Sequence, residues 1–171
     1  SIWSAMGLSL SLMAGKENFD SFRMGARDMD KHFRDATVLQ NLPIIMALIS
    51  IWNRTFLSFP TQLVVSYSSV LDNLVPYLQQ LEMESLGKSI DKKGTKVCYP
   101  TSSIIWGGSG FDAQHAYFQL LHQGTDIVPT TFVEVFEDEP ETNNLSASSY
   151  TKENIRAQAD ALAMGSPLHG F

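Results

Sequence analysis

The sequence predicts an α/β domain built on a parallel sheet and preceded by a helical segment. Three short runs rich in β-branched or apolar residues, near 61–69, 102–107 and 126–137, have the length and flanking Pro and Gly signals of strands. Each is followed by a stretch with helical period or composition, near 72–81, 112–122 and 151–164. Residues 1–59 carry helical patterns only, so they read as a helical lead-in packing on a sheet domain that occupies 60–171. Parallel neighbours need a long crossover, and a helix between successive strands supplies one. Three strands make a thin sheet, which leads us to expect only part of a domain.

In order, Ser4 to Met13 is helical in length and composition, and Gly15 can close it. The segment from Lys16 to Ala36 sets Phe19, Phe22, Ala26, Met29 and Phe33 at spacings of three and four, one apolar stripe on an amphipathic helix. "NLPIIMALISIWNRTFLS" tolerates Pro43 in its first turn and is apolar nearly all round, so burial on every side is expected. After the first strand, Leu74, Leu78 and Leu81 share one helical face. "KKGTKVCYPTS" is a loop that can hold a short hairpin turned at Lys93–Gly94. The second strand ends in glycines and opens a helix from Asp112 to His122. Pro129 breaks the third strand, and the acidic run 138–149 reads as a loop before the last helix, Thr151 to Met164.

The bulk numbers bound the function. With 44% hydrophobic and 18% charged residues over 171 positions, the chain fits a globular protein with one real core. A net charge of −6 would repel nucleic acid and anionic membrane surfaces, so neither is an expected partner. The longest apolar run, Leu42 to Trp52, falls short of the roughly 20 residues a membrane-spanning helix needs. Cys98 is the only cysteine, which precludes an intrachain disulfide and points to a reducing, cytoplasmic setting; it is expected to pack as a small hydrophobe. The chain opens on "SIWSAMGL", without an initiator Met, which suggests processing or excision from something longer.

Composition and spacing leave the chemistry open. Gly107, Gly108 and Gly110, between a strand and a helix, form either an anion cradle or simple tight-turn geometry, and they match neither G-x-G-x-x-G nor the Walker loop. His115 and His122 lie seven apart, roughly 10 Å along a helix axis, which is too far to share one metal. Glu82 and Glu84 are equivalent by type, and both read most simply as surface acids near a helix end.

The ordered words "SIWSAMGL", "NLPIIMALISIW", "YLQQLEMESLGKS", "IIWGGSG", "QHAYFQLLHQGT" and "AQADALAMG" decide among these readings. In this order and spacing they resemble the second half of the glucose-6-phosphate isomerase (phosphoglucose isomerase) family, over essentially the whole chain. The resemblance implies a flavodoxin-like α/β/α sandwich, the sugar-isomerase (SIS) domain, of which 60–171 would be part of the second copy. It implies a homodimer acting on a sugar phosphate in glycolysis and gluconeogenesis, with no metal or organic cofactor. The Glu of M-E-S falls on Glu84, the catalytic base of the family, and the His of Q-H-A on His115, which assists ring opening from the neighbouring subunit. Gln80 matches a family residue near the substrate. Met83, Leu86 and the closing subunit are then expected to bury Glu84, leaving Glu82 as the solvated neighbour.

Two departures accompany the match. Leu86 stands where the family has Asn, and Gly108 and Asp112 stand where an acid and Asn are common. The family's enediolate-stabilising arginine would fall two residues before Ser1, and its phosphate loop and ring-opening lysine would fall outside these residues. The isolated 171 residues are therefore expected to be inactive or nearly so. The rival reading is a SIS module that binds sugar phosphate without turnover.

Overall fold

The structure, a computed structural model, describes residues 2–135 and 145–165. The chain divides into two units, Ser1–Ser50 and Ile51–Phe171.

In the first unit, the Ser4 side chain accepts from the Met6 N–H and starts a 3₁₀ turn, Ala5–Gly7, that leads into α1, Leu8–Ala14. Gly15, at φ 79°, ends α1 and lets α2, Lys16–Asp35, begin in a new direction. Trp3 stacks on Phe22 of α2 with ring centroids 5.0 Å apart. The predicted stripe of α2 is only partly covered, since Phe19 and Ala26 are half-buried while Phe22, Met29 and Phe33 stay exposed. Asn41 is buried and joins α2 to α3, Leu42–Ile51. Its Nδ2 donates to the Phe33 carbonyl at 2.7 Å, and its Oδ1 accepts from the Ile44 N–H at 3.2 Å, the N-cap bond of α3.

The expected all-round burial of α3 does not hold. Leu42, Met46, Leu48, Ile49 and Ile51 are each more than half exposed, and no residue of the helix is buried. Apolar composition states what a helix prefers against it, and the described residues supply too little to meet that preference.

The second unit opens with a π-type turn, Trp52–Phe56, which Arg54 fastens by donating to the Ser102 carbonyl at 2.9 Å. Three strands follow: β1, Thr61–Ser66; β2, Ile104–Ser109; and β3, Thr130–Val133. They form a parallel sheet in the order β2-β1-β3, with Leu63 opposite Trp106 on one side and opposite Thr130 on the other. Side chains alternate along β1. Leu63, Val65 and Tyr67 meet Ala113 and Phe118 from α5 (Gly110–Ala116) and α6 (Phe118–Gln123), and Ile155 from α7 (Leu145–Met164). Val64 points to the other face, where Val75, Leu74 and Leu78 from α4, Leu74–Leu78, pack with Ile105. Helices thus cover both faces, the α/β/α arrangement that the family resemblance implies.

Several boundaries move. The third strand, Thr130–Val133, starts late because Pro129 stands immediately before it and contributes only its carbonyl, to the Leu63 N–H. The helix read as 112–122 is two helices broken at Tyr117 (φ −145°), whose ring packs edge-on to Trp106 at 4.8 Å. The last helix begins at Leu145, inside the run read as loop; residues 138–144 of that run, and 136–137 of the third strand as read, lie outside the described residues. The turn at Lys93–Gly94 is present. Gly94 has φ 81°, Ile90 bridges Lys96 antiparallel, and Asp91 Oδ1 accepts from the Lys93 and Thr95 N–H groups. Cys98 is exposed rather than packed, because the loop beyond this turn runs over the surface.

Candidate functional site

The segment carrying Gln80 and Glu84 continues α4 as a π-type turn, Gln79–Glu84, and stays helical to Leu86. A π turn inserts one residue into the helical period, and such turns are frequent at functional sites. Here it shifts the inward row by one or two positions. Leu81, expected on the face of Leu74 and Leu78, is 51% exposed, and Met83 packs inward in its place. The same shift gives the two acids, within this chain, exposures opposite to those expected. Glu82 is half-buried and Glu84 is exposed. Leu86, expected to help bury Glu84, is itself 55% exposed.

Two side chains fix this turn to the sheet. Gln79 Nε2 donates to the Ile105 carbonyl at 2.9 Å, and Met83 Sδ accepts from the Ile105 N–H at 3.4 Å. Gln79 and Met83 are four apart and form the inner row, while Gln80 and Glu84, one position further on, form an exposed outer row. Beyond Glu84 the chain turns back sharply. The Gly87 N–H bonds to the Met83 carbonyl at 2.9 Å, and any Cβ at position 87 would strike that same oxygen. Lys88 then folds under the last turn, where Nζ donates to the carbonyls of Glu84 at 2.7 Å and Ser85 at 2.8 Å. Sequence reasoning missed Gln79, Met83 and Lys88 in these parts, because a π turn leaves no periodic mark a helical wheel can detect.

His115 lies in the last turn of α5 and is exposed. Its helix packs with Leu63, Val65 and Tyr67, whereas the turn carrying Glu84 packs with Val64 and Ile105. The two residues therefore belong to opposite layers, and the sheet lies between them. Gln80 and Glu84 share one face of one helix, and His115 is not brought to them within the chain. His122 is separate again, near Gln158 of α7 at 3.4 Å.

Gly107 and Gly110 serve packing, whereas a Cβ at Gly108 would meet nothing within 4 Å. Gly107, at φ 134° inside β2, lies against the Val64 carbonyl, and Gly110 lies against the ring of Tyr67 with no room for a Cβ. That ring is part of a cleft of about 640 Å³ at the carboxyl ends of β1 and β2, lined by Ser68, Ser69, Asp72, Ser109, Phe111 and Asp112. Ligands of open α/β sheets gather at this end. Tyr67 donates nothing to Gln114; it accepts from Gln114 Nε2 at 3.0 Å, and burial pushes its phenol pKa up against the opposing effect of that bond. Burial likewise raises Tyr117, with repulsion from Tyr67 and Asp112 adding to it. A larger hollow of about 980 Å³ belongs to the first unit, between Trp3 and the Arg23 and Arg27 face of α2. Neither hollow includes Gln80, Glu84 or His115. No helix among the described residues is long and apolar enough to cross a membrane.

Comparison with known proteins gives a consistent result. The family model "Phosphoglucose isomerase" matches residues 1–169. A glucose-6-phosphate isomerase of Christiangramia forsetii is 48% identical over 169 residues, covering 96% of this chain and 30% of its own length. That of Methylocella silvestris is 45% identical over 168 residues, covering 98% and 30%. The crystal structure of a glucose-6-phosphate isomerase from Chlamydia trachomatis superposes with a TM-score of 0.72 at 40% identity, over 80% of this chain and 27% of that one. The chain thus spans about 30% of the length of the curated relatives it matches.

Proposed function

The chain belongs to the phosphoglucose isomerase family, and on that premise we propose that the whole protein interconverts glucose 6-phosphate and fructose 6-phosphate. The observation that carries the reading is the match of one family model to residues 1–169, joined by 45–48% identity to glucose-6-phosphate isomerases. Residues 60–171 then contribute part of the second SIS domain, and the protein works in glycolysis and gluconeogenesis in the cytoplasm.

The chemistry assigned to the residues follows from what the reaction needs. A proton on the carbon alpha to a carbonyl is weakly acidic, so a carboxylate must be held against it to carry it between C1 and C2. Glu84 is that base, working through a cis-enediol(ate), with Gln80 beside the substrate on the same helical face. His115 assists ring opening, since an imidazole gives and takes protons near neutrality without much tuning. Sugar isomerisation by this route moves only protons, so no cofactor enters it. The opposite-layer positions of Glu84 and His115 support a homodimer in which each site draws its His115 from the neighbouring subunit. The exposure of Glu84 within this chain supports the same arrangement, because a working base needs shielding that other segments or the second subunit must bring. The 171 residues alone are inactive or nearly so, since losing even one electrostatic stabiliser commonly costs about 100- to 1000-fold.

The test is an assay of glucose 6-phosphate formation from fructose 6-phosphate, on the whole protein and its Glu84→Gln variant. The expected result is a collapse of kcat with substrate binding retained. Normal turnover in the variant would remove Glu84 from the role of base. Binding of sugar phosphate without turnover in the unmodified protein would establish a sensor instead of an enzyme.

A further inference from the structure

We infer that Lys88 is a positioning residue for the reaction, acting through the backbone of Glu84; the inference rests on the reading of Glu84 as the base. Among the described residues no side chain bonds the Glu84 carboxylate. Its direction is therefore set by the peptide units that carry it. The inner row is held by Gln79 and Met83 at Ile105, one turn and one residue before Glu84. On the far side, the only side-chain bond to the residue among the described residues is the one from Lys88 Nζ to its carbonyl at 2.7 Å, shared with Ser85 at 2.8 Å. Gly87 makes this geometry available, because its N–H closes onto the Met83 carbonyl where a Cβ would clash, and this returns Lys88 beneath the turn it caps.

A lysine at the end of a helix is most often a solvated cap that satisfies orphan carbonyls. Two features carry this one further. Its ammonium bonds the carbonyl of the proposed base itself, and the turn it closes is π-type, so its last carbonyls lack the regular α-helical ladder. A base displaced by about 1 Å can cost a reaction on the order of 100-fold. Removing the cap is expected to let Glu84 wander without changing how tightly substrate binds.

The experiment uses the whole protein with Lys88→Met, Lys88→Arg, Glu84→Gln and the Lys88→Met/Glu84→Gln double variant, each assayed for isomerisation and for thermal unfolding. Lys88→Met is expected to lower kcat about 10- to 100-fold with KM within about twofold. Lys88→Arg, which keeps donors at the carbonyls, should recover most of the loss. In the Glu84→Gln background Lys88→Met should cost nothing more, because its effect passes through Glu84. An unchanged kcat in Lys88→Met, beside a collapsed Glu84→Gln, overturns the Lys88 inference alone. An equal fold-loss in both backgrounds, or a loss matched by unfolding, also overturns it and leaves Lys88 a structural cap. Normal turnover in Glu84→Gln overturns both the base and the residue said to position it.

Discussion

The ring of Tyr67 lies directly on Gly110, so closely that no side-chain carbon fits at position 110. Tyr67 sits just past the end of β1, Gly110 opens α5, and Phe111 meets the ring edge-on with centroids 5.3 Å apart. Gly110→Ala should force the ring aside and cost about 1–3 kcal/mol, the usual range for overpacking a filled core. Urea unfolding of variant and parent checks this. Tyr67→Leu in the same background should recover part of the loss, by removing the ring that clashes.

Tyr67 and Tyr117 make stability sensitive to alkaline pH. Burial raises both phenols above their ordinary value of about 10, so the fold favours their neutral forms. Their contribution is fully present below that value and is lost as pH rises through the higher folded-state pKa values. Absorbance titration should show Tyr67 and Tyr117 ionising late, with denaturant resistance falling over the same range. Tyr117→Phe should flatten part of that fall.

Asn41 performs two separable tasks at the start of α3. Asn41→Ala removes both and should cost about 0.5–2 kcal/mol for the N-cap alone, with a further loss from the Phe33 carbonyl left without its donor. Asn41→Asp keeps an oxygen for the Ile44 N–H but has no amide to offer Phe33. It should fall between parent and Ala in urea unfolding. A value equal to that of Ala would show that the Phe33 bond carries the whole effect.

The opposite-layer placement of Glu84 and His115 predicts complementation between two dead variants. If each site takes its base from one subunit and its histidine from the other, mixed Glu84→Gln and His115→Ala proteins form hybrids with one intact site. After equal mixing and subunit exchange, activity should rise to about a quarter of the unmodified level, since half the dimers of a twofold assembly are hybrids. Mixtures no more active than their components would place both groups in one subunit's site.

The sheet was legible because composition, length and punctuation agree at Thr61–Ser66 and Ile104–Ser109, where buried strands must be apolar runs bounded by Pro or Gly. The core residues Leu63, Val64 and Val65 follow directly from that run. The π turn was not legible, because its inserted residue leaves local composition unchanged and shows only once Met83, and not Leu81, packs inward. The reversed exposure of Glu82 and Glu84 has the same origin. Burial of α3 failed for a different reason: a sequence records the apolar demand of a helix and not what answers it. The candidate residues themselves came from family words, and no periodicity would have singled out Glu84 from Glu82.

The bonds from Gln79 and Met83 to Ile105 also bear on how this sheet can be joined. Strand β2 stands last in the order β2-β1-β3, and the peptide groups of Ile105 turn away from β1. An unpaired strand edge is a template on which foreign chains assemble. Here an amide and a thioether stand where an intruding strand would have to bond, so that margin is blunted against aggregation at Ile105. Among the described residues β3 has no strand on its far side, and further strands, native or foreign, have their opening there.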